Sequence, residues 1–417
     1  MGIEGFNPFI SKNAPTAFTE IPATMFANSI IVIDAHNYVY TNMFVALKQS
    51  LKGVNLREDV NATHDNDLKI QTFLKMILRF IILMTSYSIT PVFVFDGPNI
   101  YGKVVREKRK ENNRKAYENI EELKTTLEQQ SPLERTDEDI EELRRLKGSV
   151  THITYDEMSM FKDVLRRLGI PVIQADGDGE HICCMMVREK KATAVFSRDT
   201  DCMVYGCPLM LTKIKKNQGS RYHVFEVTQF APILPSLKLS YKSFVDLCIM
   251  AKCDYNTNIP KIAMVKSYKL LLKHKTIEEV GEAEEFDIEC LNHEFCREQF
   301  RICSSISLLH EEHNGEMPPL TINKQMLKTD DARRILRLYE CDDMVSTIVA
   351  SYRNINKIVN RTSEMISSEG RIVCQANGSY ILIKGKPVKP DKQEEDKIIV
   401  VADNPLEVLG MNVESYD

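Results

Sequence analysis

The hydrophobic pattern of this chain of 417 residues is marked by short apolar runs that lead into acidic residues. The three clearest are residues 29–33 before Asp34, residues 91–95 before Asp96 and residues 192–196 before Asp199. Runs of this length, rich in Val, Ile and Phe, are typical of strands buried on both faces of a parallel sheet. Because ligands gather at the carboxyl ends of such strands, the pattern predicts that the three aspartates face one pocket.

Between these strands the apolar spacing becomes that of amphipathic helices. Helices are predicted at residues 155–168 before Gly169, at 241–251 and at 265–272, and further strands at 170–173, 209–214 and 223–227. Residues 118–147 carry two helical patterns separated by Ser131-Pro132, which indicates two helices inserted between strands and arching over the sheet. The predicted fold class is α/β, with a mainly parallel twisted sheet flanked by helices.

The C-terminal third carries a weaker pattern. Helices are predicted at 333–339 and 344–359, a β-hairpin at 371–376 and 380–384, a Pro/Lys/Glu linker at 386–397 and a strand at 397–402. The hairpin prediction rests on Asn377-Gly378, because this dipeptide favours the tight turns that join antiparallel strands. We therefore expect a small β extension at this end of the chain.

Further acidic residues lie close to the predicted strand ends. They are Asp176, Asp178 and Glu180 before one helical segment, Asp201 two residues after Asp199, and Asp254 after the helix at 241–251. A single aspartate after a strand is most often a helix N-cap or a turn residue. Several together favour a shared carboxylate pocket, since crowded carboxylates are costly unless hard divalent cations neutralise them.

Composition and charge limit the class of protein. The net charge of −5 argues against a protein that coats nucleic acid indiscriminately, and no apolar run is long enough to span a bilayer. The first residues have no basic region followed by an apolar core, so no secretory signal is expected. The eleven cysteines are then expected to be reduced thiols, and the protein is expected to be intracellular.

A basic stripe begins seven residues after Asp96. Seven of the thirteen residues from 103 to 115 are basic, and Lys103, Arg106, Lys110 and Arg114 follow the spacing of one helix face. Such a run is often only a solvated helix surface. Its position at the rim of the predicted carboxylate pocket favours a contact with nucleic acid instead.

Two other constellations are weaker. A cysteine and histidine group suggests zinc by composition; its members are Cys290, His293, Cys296, Cys303, His310 and His313. It has no pair of C-x-x-C knuckles, and helical spacing would scatter these side chains. Residues 177–180 are not a phosphate loop, because the Gly-Lys-Ser/Thr that would hold a nucleotide is missing.

Several of these motifs, in this order, resemble the flap endonuclease family of structure-specific 5′ nucleases, relatives of the xeroderma pigmentosum group G nuclease. The matching segments are Met1-Gly2-Ile3 with Gly5-Phe6, Ile33-Asp34-Ala35, residues 94–97, residues 169–171, Asp178 with Glu180, residues 199–202, Asp254-Tyr255 and residues 270–280. The resemblance covers roughly residues 1–285. It implies a PIN-like nuclease core with a helical arch and a helix-hairpin-helix element.

The resemblance also implies which residues bind metal ions, act on the phosphate and contact DNA. It assigns two Mg²⁺ ions, or Mn²⁺, to Asp34, Asp96, Asp178, Glu180, Asp199, Asp201 and Asp254. It implies that Lys103 and either Arg109 or Lys110 act on the scissile phosphate. DNA contacts are expected at Gly2, Arg106, Arg114, Lys115, Lys261 and Lys266.

The chain departs from the family pattern in three places. Asp178 stands where the family usually has glutamate, and the hairpin glycines are replaced by Lys261 and Ala263 after Pro260. The resemblance implies that relatives hold a K⁺ ion at this hairpin, and the substitutions predict that Lys261 takes its place. No glutamine-rich box with paired aromatics follows, so docking to a sliding clamp is not expected.

The resemblance implies a Mg²⁺-dependent nuclease that hydrolyses DNA phosphodiester bonds at 5′ flaps, nicks or ends during replication, repair or recombination. A catalytically inactive scaffold for branched DNA and a ribonuclease with the same pocket remain alternatives, and both flap cleavage and 5′ exonuclease action are compatible with the motifs. We expect a monomer that works in the nucleus or at a viral replication site. The expected divisions are 1–102, 103–150 for the arch, 151–285 with the helix-hairpin-helix, 286–370 and 371–417.

Overall fold

The computed structural model describes residues 2–98, 103–150, 153–216, 223–326, 329–354, 371–374 and 380–383, and leaves the side chains of 103–109, 353–354 and the last two ranges undescribed. The strands are β1 Phe18–Pro22, β2 Ile30–Asp34, β3 Thr90–Phe95, β4 Val172–Gln174, β5 Ala194–Phe196, β6 Leu209–Lys216, β7 His223–Gln229, β8 Arg371–Cys374 and β9 Tyr380–Ile383. The first seven form one sheet in the order β1-β7-β6-β5-β2-β3-β4.

The sheet is parallel through its centre and antiparallel at one end. Strands β6, β5, β2, β3 and β4 pair in parallel, and β7 and β1 are added antiparallel beside β6. The central strands β2 and β3 are buried because their apolar side chains point to covered faces on both sides. The predicted α/β class with a mainly parallel sheet is confirmed.

Helices cover both faces of this sheet. They are α1 Phe6–Asn13, α2 Ala35–Lys52, α3 Asn66–Ser86, α4 Lys103–Glu128, α5 Asp137–Lys147, α6 Tyr155–Arg167, α7 Gly179–Arg188, α8 Asp201–Val204, α9 Ile233–Leu237, α10 Tyr241–Ala251, α11 Met264–His274, α12 Ile277–Glu284, α13 His293–Gln299, α14 Asp330–Leu338 and α15 Val345–Asn354. Helices α2, α3 and α6 pack on one face of the sheet and α1, α7 and α10 on the other. The two faces therefore have separate apolar cores.

The predicted helical insertion is present as α4 and α5, which lie between β3 and β4 in the chain. Its far end has a third apolar core, formed with the α2–α3 connection; the buried members are Leu56, Val60, Ile120, Leu127, Ile140 and Leu143. Cationic side chains reinforce this contact from both sides. Arg135, Arg144 and Lys147 donate to backbone carbonyls of residues 51–62, and Arg57 donates to the Arg135 carbonyl; we call these four residues the arch brace.

The segment after α13 extends the sheet beyond β4. The Asp176 amide donates to the Leu308 carbonyl (2.9 Å), and the His310 amide donates to the Gln174 carbonyl (3.1 Å). Ala175 and Leu309 form a bridge between these contacts. A region with a weak sequence pattern thus forms one wall beside the acidic loop at 176–178.

Most predicted elements agree with the structure within a few residues. Strand β4 begins at Val172 rather than at residue 170, because Gly169 has a φ of +73° and the Ile170 amide still caps α6 at Leu165. Strands β8 and β9 pair antiparallel, which confirms the predicted hairpin. The turns at 217–220 and 377–378, the linker at 386–397, the strand at 397–402 and residues 355–359 of the last helix lie outside the described residues. No helix in the described ranges has the length and apolarity to cross a bilayer.

Candidate active site

The carboxyl ends of the central parallel strands carry the predicted aspartates. Asp34 is the last residue of β2, Asp96 directly follows β3, and Asp199 lies three residues after β5. Because β2 lies between β3 and β5 in the sheet, these three strand ends are immediate neighbours. Asp178 and Glu180 come from the start of α7, and Asp201 begins α8.

Two of these aspartates are also helix caps. Asp34 accepts the Asn37 amide (3.0 Å) at the start of α2, and Asp178 accepts the Glu180 amide (2.9 Å) at the start of α7. The ordinary capping interpretation is therefore correct for both residues. Each cap uses one carboxylate oxygen, so the capping bond also fixes the direction of the other oxygen.

Hydrogen bonds link the strand ends to one another. Ser197 donates its hydroxyl to Asp34 Oδ2 (3.2 Å) and accepts the Asp199 amide (3.1 Å). The Gly179 amide donates to Asp96 Oδ1 (3.0 Å), which joins β3 to α7. A Cβ at position 179 would lie 3.0 Å from that oxygen, so glycine allows this close approach.

Burial and mutual repulsion raise the pKa values of these carboxyl groups. Burial, and after it the charges of Asp96 and Asp254, raise the pKa of Asp178 to about 7; burial and Asp254 raise the pKa of Asp199 to about 6. The pKa values of Asp34, Glu180 and Asp201 lie well above their usual range, first through burial and then through neighbouring charges. The seven predicted residues therefore share one pocket, since each acts on the charge of others.

This pocket fits divalent cations by its donor set. Glu180 Oε1 and Asp201 Oδ1 are buried and accept no hydrogen bond from the described residues. Buried carboxylate oxygens without partners are costly, and oxygen ligands of this kind are those that Mg²⁺ and Mn²⁺ prefer. Within the described ranges, no group of three or more His, Cys, Asp or Glu side chains is already close enough together to hold a metal ion. Mutual repulsion is a sufficient reason for carboxylates to stand apart.

The N-terminal segment closes one side of the pocket. Gly2 has a φ of +87°, and a Cβ there would lie 2.2 Å from Asp199 Oδ1 and 2.4 Å from Thr200 Oγ1. The Ile3 amide donates to Thr200 Oγ1 (2.8 Å), which holds the segment in place. Glycine is therefore required at position 2 by both its backbone angle and its close contact. The structure brings Gly2 to the acidic site, as its motif suggested.

The basic stripe follows β3 and Asp96 along the chain. Helix α4 starts at Lys103, so its first turn is close in sequence to Asp96, but the side chains of Lys103, Arg106 and Arg109 lie outside those described. Lys110 is exposed. Arg114 pairs with Glu111 (2.7 Å) and Glu118 (2.5 Å), and Lys115 lies 3.6 Å from Glu111. Exposed pairs of this kind contribute little and can be exchanged for phosphate contacts.

The predicted hairpin joins α10 to α11. The Ile262 amide donates to the Ile259 carbonyl (3.0 Å), which closes a turn with Pro260 and Lys261 at its centre. Lys261 has a φ of +64°. A turn with Pro at its second position and a positive φ at its third normally has glycine there, so this chain keeps the turn while losing the glycine. Lys261 and Lys266 are both exposed, on the turn and the first turn of α11.

The structure separates the proposed zinc ligands. Cys296 lies 3.8 Å from Cys253 in the core, Cys303 lies 3.6 Å from His181, His293 pairs with Glu278, and His313 accepts the Gln174 amide. Ten cysteines are free thiols in the described part of the chain, as expected. These contacts do not converge on one point.

Sequence reasoning missed three side chains that organise the site: His36, Asn37 and Ser197. His36 Nδ1 accepts the Asp96 amide (3.1 Å), and Asn37 Oδ1 accepts the Arg198 amide (3.3 Å). Burial lowers the pKa of His36 to about 4, which favours the neutral ring. The only signal in the sequence was their position directly after Asp34 or directly before the Asp199 segment.

Comparisons with known proteins agree with this site. The model described as the XPG N-terminal domain matches residues 1–117, and the model described as the XPG I-region matches residues 169–254. Flap endonuclease 1 of Cryptosporidium muris is 25% identical over 424 aligned residues, which cover 99% of this chain and 82% of that protein. Flap endonuclease 1 of Theileria annulata is 27% identical over 293 residues, covering 69% of this chain and 53% of its own length.

Solved structures share the fold. Flap endonuclease-1 from Methanococcus jannaschii has a TM-score of 0.52 and 19% identity, with 81% of this chain and 97% of that chain covered. The catalytic core of Rad2 in complex with a DNA substrate has a TM-score of 0.53 and 16% identity, with 84% of this chain and 100% of that chain covered. These likenesses show the shared fold. The two family models include every strand end of the acidic pocket, and together with the flap endonuclease relatives they show that the chain belongs to the flap endonuclease/XPG family of nucleases.

Proposed function

We propose that this protein is a divalent-metal-dependent, structure-specific 5′ nuclease that hydrolyses DNA phosphodiester bonds at flaps, nicks or free 5′ ends. The observation that carries the proposal is the convergence of seven carboxylates at neighbouring strand and helix ends, two of which have unpartnered buried oxygens. A scaffold that only bound DNA would have no use for such costly burial of like charge near a phosphate backbone.

In the proposed site the carboxylates form two groups. Asp34, Asp96, Asp178 and Glu180 would hold one Mg²⁺ or Mn²⁺ ion, and Asp199, Asp201 and Asp254 would hold a second, in part through water. When bound, such a pair supplies an activated water and charge stabilisation at the leaving oxygen. The hydrogen bonds through Ser197 and Gly179 keep the carboxylates oriented before substrate arrives.

The basic residues are proposed to act on the phosphates. Lys103, with Arg109 or Lys110, would stabilise charge on the scissile phosphate, because α4 begins only seven residues after Asp96 in the chain. Further DNA contacts are proposed for Gly2, Arg106, Arg114, Lys115, Lys261 and Lys266. Lys261 is proposed to serve at the hairpin in place of K⁺, since Ala263 adds a Cβ where the family has glycine and the Lys261 ammonium would reach the same phosphates.

One assay series tests the proposal against its alternatives. The full chain is incubated with Mg²⁺ or Mn²⁺ and a 5′ flap, a nicked duplex, a blunt duplex and the corresponding RNAs, and products are mapped to the nucleotide. We expect metal-dependent cleavage of DNA near the junction or the 5′ end. Binding of flap DNA without cleavage would favour the inactive scaffold, and preferred cleavage of RNA would favour the ribonuclease. The relative rates on flap and blunt substrates separate endonuclease from exonuclease action.

A further inference from the structure

We propose that His36 is a positioning residue for Asp96, and that the first turn of α2 acts as a clamp on the three acidic strand ends. The name α2 clamp is used here for Asp34, His36 and Asn37. The inference rests on the proposed function, because it concerns the carboxylates assigned there to metal. It adds a residue that neither the motifs nor the composition pointed to.

The three members of the α2 clamp reach three neighbouring strands. Asp34 ends β2 itself, His36 bonds the residue after β3, and Asn37 bonds the residue after Ser197 beyond β5. Because β2 is the middle strand of the three, one helical turn at its end can contact both neighbours. The side chains at 36 and 37 leave the helix about 100° apart, as consecutive helical positions do, so they reach different neighbours. The clamp therefore ties the strands that carry Asp96 and Asp199 to the strand that carries Asp34.

The geometry assigns the active atom of His36. Its Nδ1 accepts the Asp96 N–H at 3.1 Å, so this nitrogen carries no proton and Nε2 carries it. The ring also packs edge-on against Phe95, with centroids 6.1 Å apart and an interplanar angle of 79°. Nδ1 also lies 3.4 Å from Asp96 Oδ2, so the ring stands beside the carboxylate while its hydrogen bond is to the backbone of this residue.

Contacts of Asp96 with Gln174 and Gly179 help to show what His36 adds. The Gln174 side chain donates to the Asp96 carbonyl (2.7 Å), and the Gly179 amide donates to Asp96 Oδ1 (3.0 Å). Its N–H would lose a protein acceptor without His36. An amide that loses its acceptor exchanges faster and allows the peptide to rotate. The carboxylate orientation then becomes less defined.

Three substitutions of His36 distinguish the role of Nδ1 from the role of Nε2. Asparagine carries an acceptor oxygen as many bonds from Cα as Nδ1, glutamine carries a donor as many bonds away as Nε2, and alanine carries neither. In the full chain, His36→Ala and His36→Gln should weaken Mn²⁺ binding, measured by titration calorimetry without DNA, about tenfold, the effect of one lost buried hydrogen bond. His36→Asn should stay within about threefold of the unmodified protein. His64→Asn, in the α2–α3 connection, is the matched control.

A second readout needs no metal. Hydrogen exchange of the peptide containing residues 93–98 should be faster in His36→Ala and His36→Gln and unchanged in His36→Asn, with thermal stability similar in all three. Unchanged exchange in His36→Ala would overturn the clamp and leave the proposed nuclease intact. The clamp would also be overturned if Mn²⁺ binding and exchange were normal in His36→Gln but binding were weakened and exchange faster in His36→Asn. Nε2, and not Nδ1, would then be the atom that positions Asp96. A protein that shows the expected exchange but no cleavage would instead contradict the proposed function.

Discussion

Two regions of this protein bury charge, and they do so in opposite ways. In the acidic pocket, carboxylates are buried beside other carboxylates, and oxygens of Glu180 and Asp201 accept no hydrogen bond from the described residues. In the arch brace, Arg135 is only 7% exposed, but its guanidinium donates to the carbonyls of Leu127, Gln130, Arg57 and Glu58. The buried charge of Arg135 is hydrogen-bonded throughout, whereas the buried carboxylates of the pocket are hydrogen-bonded only in part.

This contrast distinguishes buried charge that stabilises the fold from buried charge that serves a reaction. A buried cation that is surrounded by carbonyl oxygens stabilises the arrangement that surrounds it, and its removal leaves those oxygens without donors. A cluster of like charges destabilises the fold and persists only where a bound cation or a reaction gives it a role. The brace therefore shapes the arch at its far end, and the acidic pocket is the part of the molecule prepared for ligands.

The largest expected effect is the loss of one carboxylate from the pocket. Asp201→Asn should reduce cleavage of a 5′ flap below detection, because a proposed ligand of the second metal ion is lost. DNA affinity in the absence of divalent ions should remain within several-fold, since removing negative charge does not weaken phosphate contacts. Rapid-quench assays and fluorescence anisotropy measure the two quantities. Normal turnover by this variant would contradict the two-ion assignment.

The next effect concerns the basic stripe of α4, which begins at Lys103. Lys103→Ala should slow single-turnover cleavage by ~10²-fold or more, the scale of losing one preorganised charge stabiliser. The double variant Arg114→Ala/Lys115→Ala should mainly weaken binding and flatten its salt dependence, because these residues lie farther along the stripe. If Lys103→Ala changes affinity alone, this lysine is a tether and the stabilising charge lies elsewhere.

Breaking the brace should affect stability rather than chemistry. Arg135→Met should lower the free energy of unfolding by about 2–4 kcal/mol, because several buried carbonyls lose their donor at once. Urea unfolding measures this, with Arg145→Met as the matched control on α5: Arg145 is exposed and paired with Glu142, so its loss should cost at most about 0.5 kcal/mol. Equal effects of the two variants would show that burial of Arg135 contributes nothing.

The pocket should respond to pH with the sign set by its raised pKa values. The fold favours protonated Asp178 and Asp199, so their stabilising contribution is present below the unfolded pKa near 4 and is lost as pH rises through about 6 to 7. Without divalent ions the melting temperature should fall by roughly 2–5 °C between pH 5 and pH 8. Asp201→Asn should reduce this fall, and Mg²⁺ should stabilise more at pH 8 than at pH 5. A melting temperature that rises over this range would contradict the pKa assignment.

The smallest effect is expected at the hairpin. Lys261→Gly should weaken DNA binding several-fold and raise stability by up to about 1–2 kcal/mol, because glycine adopts the positive φ of this turn without strain. Lys261→Asn is the control that tolerates this φ and lacks the charge. Replacing K⁺ by a bulky monovalent cation at fixed ionic strength should barely change affinity. A strong K⁺ requirement would show that an ion binds here despite the lysine.

Much of the site could be predicted before the fold was known. The positions of Asp34, Asp96 and Asp199 follow from local patterns, because an apolar run of strand length determines where that strand ends and which residue comes next. The arch was recognisable because Ser131-Pro132 interrupts an otherwise helical pattern. Helix α10 was predicted with its exact bounds, since its apolar spacing ends sharply before Lys252.

The partners of these residues could not be predicted, because they depend on which distant segments pack together. His36 and Asp96 are 60 positions apart in the chain, and Arg135 donates to a carbonyl 78 positions away. Whether Arg135 is a solvated surface charge or a buried brace depends on the α2–α3 connection, which its own neighbours do not reveal. The segment near Leu308 likewise joins the sheet only because β4 is left with an open edge.

Local periodicity therefore determined the strands, the helices and the acidic residues at their ends. Backbone preferences and side-chain alternation act between near neighbours, so they can be read along the chain. Burial, hydrogen-bond partners and the raised pKa values arise only when separate elements pack, since desolvation and charge interactions act through space. This is why the carboxylates were visible in the sequence, while the histidine that holds one of them and the arginine that holds the arch were not.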